Sequence, residues 1–300
     1  MHCLSGEGND EHNIISLETV LRIERNQPGF LVRYVFELNK VGETKPYLVS
    51  HFMLPVGFRG CIGAKKMVKY FEGNIQILCT AYIHACRGRQ YYDHGGEFFL
   101  ELLRANPDFL LVFVQAIQQN HIGRDERSCF NILWQQEDFL ELITVIMEHL
   151  KETSQFSFQW NTLAESLLCD QQRDSGIDCR RNEWIAHYIE KNSNDEAAMK
   201  FLFGVVCNLP EQHRLPAIAA FCANNPSYEN FCNIQLTPTH MSWSGSEVPV
   251  IERQIAFLER LRESLLGIQF IEHRARISAM IQFYQESKER VLLKEFLEDR

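Results

Sequence analysis

Three hundred residues, 45% apolar and 23% charged, with nine prolines and sixteen glycines, describe a folding chain with too few turn residues for an all-β sandwich. The formal charge of −9 disfavours a phosphate backbone as the main partner, and the longest strongly apolar run, Phe109–Val114, is far too short to span a bilayer. The length suits one large core, two domains or one extended array.

Residues 1–13 carry Gly, Asn, Asp and Glu with almost no apolar anchor and are expected to be disordered. From 14 to 54 the pattern has two readings. Phe30-Leu-Val-Arg-Tyr-Val-Phe-Glu-Leu38 alternates well enough for a strand, which would place a short β-hairpin within 14–54, yet Phe30, Tyr34, Val35 and Leu38 also share one helix face. The helical context of the rest favours helix.

Helices then follow in succession. Lys65 to Arg87 reads as one or two, interrupted near Gly73, and Glu97 to Ala105 as another. Asn106-Pro107 supplies a cap and a first-turn proline for a helix through Gln119. Further helices are expected over Asp138 to Lys151, Asn161 to Cys169, Asn182 to Lys191, Asp195 to Cys207 and Pro210 to Ala223, with a short one from Asn225-Pro226 through Asn233. The polar stretch 170–179 is the candidate exposed loop or domain break. It divides a helical region over 14–170 from one over 180–300, unless the two form one continuous array. Asn106-Pro-Asp-Phe109, Gln136-Glu-Asp-Phe139 and Asn225-Pro-Ser-Tyr228 each place an aromatic in a first helical turn, without a fixed period.

The last 55 residues give the clearest pattern. Ile251, Ile255, Leu258, Leu261 and Leu265 recur at helical spacing, Gly267 breaks the series, and Phe270, Ile277, Ile281 and Tyr284 resume it. The connection is so short that the chain must fold back on itself, with Ser246 and Glu247 suited to the first helix start. A helical hairpin cannot bury both apolar faces alone. The expected fold is therefore all-α, built of stacked antiparallel helical hairpins as an irregular helical-repeat superhelix.

Residues Ser242-Trp-Ser-Gly-Ser-Glu-Val-Pro-Val-Ile-Glu252 and Phe270-Ile-Glu-His-Arg274 resemble a C-terminal pattern in the long helical arms of large bacterial signal-transduction NTPases of the STAND type, some of them defence proteins. The resemblance covers residues 228–300. No Gly-x-x-x-x-Gly-Lys-Ser/Thr loop is present, so it implies an arm without its motor, either a C-terminal fragment or a degraded reading frame. Partner sensing or assembly is implied rather than turnover, and no catalytic residue carries over.

Candidate chemistry is sparse. Ten cysteines include no Cys-x-x-Cys pair, which argues against structural zinc, and several lie in apolar runs as small core residues. With the polar start Met1-His-Cys-Leu-Ser-Gly-Glu, this reads as a cytoplasmic protein with reduced thiols. Residues 57–92 carry Arg59, Lys65, Lys66, Lys69, Arg87 and Arg89 against Glu72, a local +5 opposite −14 elsewhere. A solvated face is the simpler account; contact with nucleic acid is the functional one. The glycines of Gly57-Phe-Arg-Gly-Cys-Ile-Gly63 match neither phosphate-binding fingerprint and read as a connection before a basic helix. Tyr91-Tyr-Asp-His-Gly-Gly-Glu97 holds two carboxylates and an imidazole, suited to acid–base work or simply to a polar turn. Nearby His84 and Cys86 are two residues apart and so point to different helix faces, and no metal or cofactor is called for.

Arg181-Asn182-Glu-Trp-Ile-Ala-His187 resembles the Arg-Asn-x(n)-His signature of all-helical HEPN-class ribonucleases. The resemblance implies His187 as general acid/base and Arg181 as stabiliser of phosphate charge. Arg89-Gln-Tyr-Tyr-Asp-His94 matches as well, so the pattern is cheap, and a buried stripe of Trp184, Ile185 and Tyr188 explains the segment equally. Trp134, Trp160 and Trp184 read as core anchors, whereas Trp243 sits in a polar loop and is a candidate partner contact. The reading favoured is a non-enzymatic scaffold or sensor that binds a protein partner. A ribonuclease using Arg181, Asn182 and His187 is the alternative, and nucleic-acid binding through Lys65, Lys66, Lys69, Arg87 and Arg89 comes third.

Overall fold

Helix follows helix along the whole described chain, with no strand among the described residues. The computed structural model describes residues 15–57, 62–88, 91, 93–119, 125–153, 158–169, 175–238 and 244–298. The helices group into two compact units, residues 1–149 and 150–300.

The first unit opens with α1 (Leu17–Asn26), α2 (Phe30–Gly42) and α3 (Pro46–Gly57). The strand alternative for 30–38 gives way to helix because Leu31, Val35 and Leu38, four and three apart, are the residues buried. Glu24 helps set the α1–α2 turn: its two carboxylate oxygens accept from the backbone N–H groups of Gly29 (2.7 Å) and Leu31 (2.6 Å), donors that a helix start leaves open. After α4 (Ala64–Tyr70), Gly73 at φ +86° makes the expected interruption before α5 (Ile75–Arg87). Helix α5 packs on α2 and α3, and Asn39 of α2 donates to the Ile77 carbonyl of α5 at 2.8 Å.

Next come α6 (Glu97–Ala105), α7 (Phe109–Gln118), a 3₁₀ segment over Asp125–Gln135 and α8 (Phe139–Thr153), within which the two units divide. Helix α7 starts at Phe109 rather than directly after Asn106, whose side chain instead reaches the Cys79 sulfur at 3.8 Å. The unit's aromatic centre is Tyr82. Its ring makes edge contacts with Tyr91, Phe98 and Phe109, at centroid distances of 5.7, 5.4 and 5.9 Å. Phe99, Phe113 and Phe130 extend the cluster, and Trp134 of the 3₁₀ segment is fully buried against Phe139.

The second unit holds α9 (Phe158–Leu168), α10 (Ser175–Asn192), α11 (Glu196–Val206), α12 (Glu211–Asn224), α13 (Tyr228–Asn233), α14 (Val248–Ser264) and α15 (Ile271–Glu298). Residues 170–174 of the expected break lie outside the described residues, and 175–179 already belong to α10. Asp195 caps α11 by accepting from the Ala198 N–H, and Ser227 caps α13 by accepting from the Asn230 N–H. Helix α10 packs on α12 and α12 on α14; Arg214 of α12 donates to the Cys207 carbonyl at 3.2 Å and stacks 4.0 Å above the Phe257 ring of α14. Helices α14 and α15 are antiparallel in a definite register. Arg262 donates to Ser278 (3.3 Å) and Lys288 bonds Glu252 (2.6 Å), ten residues back on one helix and ten forward on the other. Val248 therefore lies level with Leu292, and α15 continues beyond.

Two glycines in ordinary backbone conformations separate close approach from open space. A Cβ on Gly88, at the end of α5, would sit 2.5 Å from Ser50 Cβ and 2.9 Å from the Pro46 carbonyl oxygen, whereas one on Gly204, inside α11, would meet nothing within 4 Å. Gly88→Ala is expected to destabilise by about 1–3 kcal/mol through overpacking, and Gly204→Ala to stabilise by about 0.5–1 kcal/mol through helix propensity. Urea unfolding of the two variants checks both signs.

Candidate functional site

Helix α10 repeats apolar and polar residues so that Arg181, Trp184, Ile185 and Tyr188 all turn inward. Arg181 is only 1% exposed, and its Nη1 donates to Asp178 Oδ1, one turn earlier, at 3.0 Å. Helix α12 brings Gln212 and His213 to the same place. His213 Nδ1 lies 2.7 Å from Asn182 Oδ1, its Nε2 is 3.8 Å from Asp178 Oδ1, and Gln212 Nε2 lies 3.4 Å from that Nε2 and 3.3 Å from Asp178 Oδ2. With the Asn182 oxygen accepting, the network assigns the proton to Nδ1 and leaves Nε2 to accept from Gln212, a neutral imidazole. The His213 pKa is lowered accordingly: burial outweighs the attraction of Asp178, and Arg181 adds to the lowering.

This cluster of a carboxylate, a guanidinium, two amides and an imidazole joins α10 to α12. Arg181 and Asn182 were legible as a pair in the sequence; Asp178, Gln212 and His213 were missed. Asp178 had a signal, since acid and base three apart on a helix are neighbours, but His213 lies 31 residues from Asn182 and had none. His187 is not brought to the cluster. It is half-buried on α10, about 9 Å along the axis from Arg181 and roughly 120° around it.

The basic residues fall elsewhere. Lys65, Lys66 and Lys69 are exposed on one side of α4, while its Met67 is fully buried. Arg87, half-buried, lies 3.4 Å from His84 Nδ1. Arg89 and Trp243 lie outside the described residues, as do 58–61 of the glycine-containing segment.

The acid–base candidate over 91–97 has a structural use. Asp93 accepts from the Phe98 N–H (3.1 Å), the Phe99 N–H (2.8 Å) and the Tyr82 hydroxyl (2.8 Å), tying the start of α6 to the aromatic centre. Burial still raises its pKa, against the lowering by these three donors. Among the described residues, no group of three or more His, Cys, Asp or Glu side chains is arranged to hold a metal ion.

The remaining candidate is the turn between α14 and α15. Arg274 Nη1 donates to the carbonyls of Leu265 (2.7 Å) and Gly267 (2.9 Å), and Gly267 takes φ +107°, ψ 161°, a conformation essentially restricted to glycine. The turn so held exposes Leu266 (77%), Ile268 (85%) and Ile271 (56%). Behind it, His273 is enclosed by Tyr228, Phe231 and Phe270, with ring centroids 5.7, 4.5 and 5.2 Å away, and its pKa is lowered, chiefly by burial.

No family model, no curated protein and no solved structure matches this chain.

Both depressed histidines stay neutral in the folded protein at a pH where the unfolded chain, at an ordinary 6.5, already takes up protons. Stability is therefore complete above pH 6.5 and is lost as pH falls from there through the folded values. Urea unfolding at pH 7.5 and 5.5 is expected to show this loss. His213→Gln and His273→Phe should each flatten it, and the double variant should flatten it most.

Proposed function

We propose that this chain is a non-enzymatic helical scaffold or sensor module that docks another protein through the tip of its α14–α15 hairpin. The observation that carries the reading is the exposed trio Leu266, Ile268 and Ile271 on a turn held by Arg274 and Gly267. Three large aliphatic side chains in water, on a backbone already ordered, form a contact that loses little conformational entropy on binding. The likeness of residues 228–300 to bacterial signalling and defence arms supports the same role. A cytoplasmic setting belongs to the proposal as well: Cys79, Cys207 and Cys222 are thiols used as core residues, with pKa values pushed by burial to about 11, 12 and 12.

The test is affinity capture from native cells with wild type and with Leu266→Ser/Ile268→Ser. A stoichiometric protein that the wild type retains is expected to drop by about tenfold or more with the variant. Equal retention by both forms would remove the tip from the reading.

A second reading takes the exposed Lys65, Lys66 and Lys69 as a nucleic-acid contact, and the ribonuclease alternative adds Arg181, Asn182 and His187. Cleavage by this route requires Arg181 to leave its pairing with Asp178. With labelled RNA, the scaffold proposal expects no binding that weakens with salt and no cleavage. Binding lost in Lys65→Ala/Lys66→Ala/Lys69→Ala would favour the lysines, and cleavage abolished by His187→Ala would favour the ribonuclease.

A further inference from the structure

Away from its tip, the same hairpin carries a shallow groove of about 470 Å³ between α14 and α15. Ile255 and Ala256 from α14 and Leu292 from α15 provide its apolar surface. Its charged residues are unequal in sign: Glu252, Glu259 and Glu289 against Lys288 alone. Lys288 is already committed to Glu252 at 2.6 Å, while neither Glu259 nor Glu289 has a salt-bridge partner within 4 Å among the described residues. From Glu252 to Glu259 the groove follows two turns of α14, about 10 Å. That length suits two turns of an incoming helix laid along the hairpin.

We propose that this groove is a docking site for a basic amphipathic helix, with leucine-like residues on the apolar floor and lysine or arginine beside Glu259 and Glu289. Charge complementarity selects this occupant. The two acids repel an RNA backbone and an anionic lipid surface, and a cationic partner supplies the close ion pairs that neither Glu259 nor Glu289 makes among the described residues. Contact with Ile255, Ala256 and Leu292 demands an apolar stripe on the same partner, which excludes a merely polybasic segment as a full fit. The inference extends the scaffold reading to a second surface and to a partner of stated chemistry.

The experiment uses the full chain and two labelled synthetic peptides of about 14 residues, Leu-Lys-Lys-Leu-Leu-Lys-Leu-Leu-Lys-Lys-Leu-Leu-Lys-Leu and its analogue with every lysine replaced by glutamate. Fluorescence anisotropy is expected to show the basic peptide binding at least about tenfold more tightly than the acidic one, with affinity falling as salt rises. Glu259→Lys/Glu289→Lys should weaken the basic peptide by about tenfold or more, and Ile255→Arg should do likewise. The control Glu183→Lys/Glu190→Lys makes the same change in net charge on α10 and should leave affinity within about twofold. Circular dichroism of each variant confirms that its helix content is kept. Equal affinity for the two peptides, or equal weakening by control and groove variants, overturns the proposal. So does self-association that buries the groove in a second copy and excludes the peptide. Peptide binding needs no native partner, so failure of the tip variant in affinity capture and failure here are separate results.

Discussion

Water against the apolar stripe of a helix is costly, and in this chain the stripes are closed by other helices. Around Tyr82 the closure is aromatic and multilateral, with rings from α5, α6 and α7 and from the 3₁₀ segment meeting at centroid distances near 5–6 Å. In α14 and α15 it is a two-helix seam with a fixed register, Arg262 level with Ser278 and Glu252 with Lys288. A seam of that kind closes only one face of each helix. What the hairpin leaves open, the tip and the groove, follows from where the register runs out and where side chains diverge. The candidate surfaces are therefore consequences of the packing rather than additions to it.

Several buried polar groups meet the complementary constraint, that a donor or acceptor removed from water needs a partner, although neither ring nitrogen of His273 has one among the described residues. Asp93 spends its carboxylate on two helix-start amides and a tyrosine hydroxyl. Asn182 and His213 satisfy each other across α10 and α12, and Asp178 takes the Arg181 guanidinium. Residue types that look like chemistry in a sequence are here engaged in holding helices together, which is their commoner use in a folded interior. Arg181 shows the point most clearly, since a group 1% exposed reaches no solute while α10 stays in place.

Much of the helical order was legible. Gly73 marked the break between α4 and α5, Asp195 the start of α11, and the recurrence from Ile251 to Leu265 the whole of α14, because caps, glycines and periodic burial act over a few residues. The 3₁₀ segment Asp125–Gln135 was not anticipated: its inward residues Phe130, Leu133 and Trp134 have a spacing that one α-helix face would share, so the local pattern does not mark a 3₁₀ turn, and Phe130 answers to the aromatic cluster around it. The start of α10 also came earlier than the pattern indicated, its polar residues Asp178 and Arg181 being drawn in by each other and by α12. For the sites the divide is the same. The break at Gly267 was legible but the exposed Leu266 and Ile268 beside it were not singled out, and which acids would line a groove with Leu292 depended on an inter-helix register that no local pattern encodes.

Trp134 and Trp184 carry a practical consequence. Each indole is at 0% exposure, one in residues 1–149 and the other in residues 150–300, and each packs on a nearby ring, Trp134 on Phe139 and Trp184 on Tyr188. Emission from so dry an environment is blue-shifted and moves to the red once solvent enters. Versions retaining one indole at a time thus turn the chain into its own pair of optical gauges. They would report whether the two halves melt in one step or in sequence.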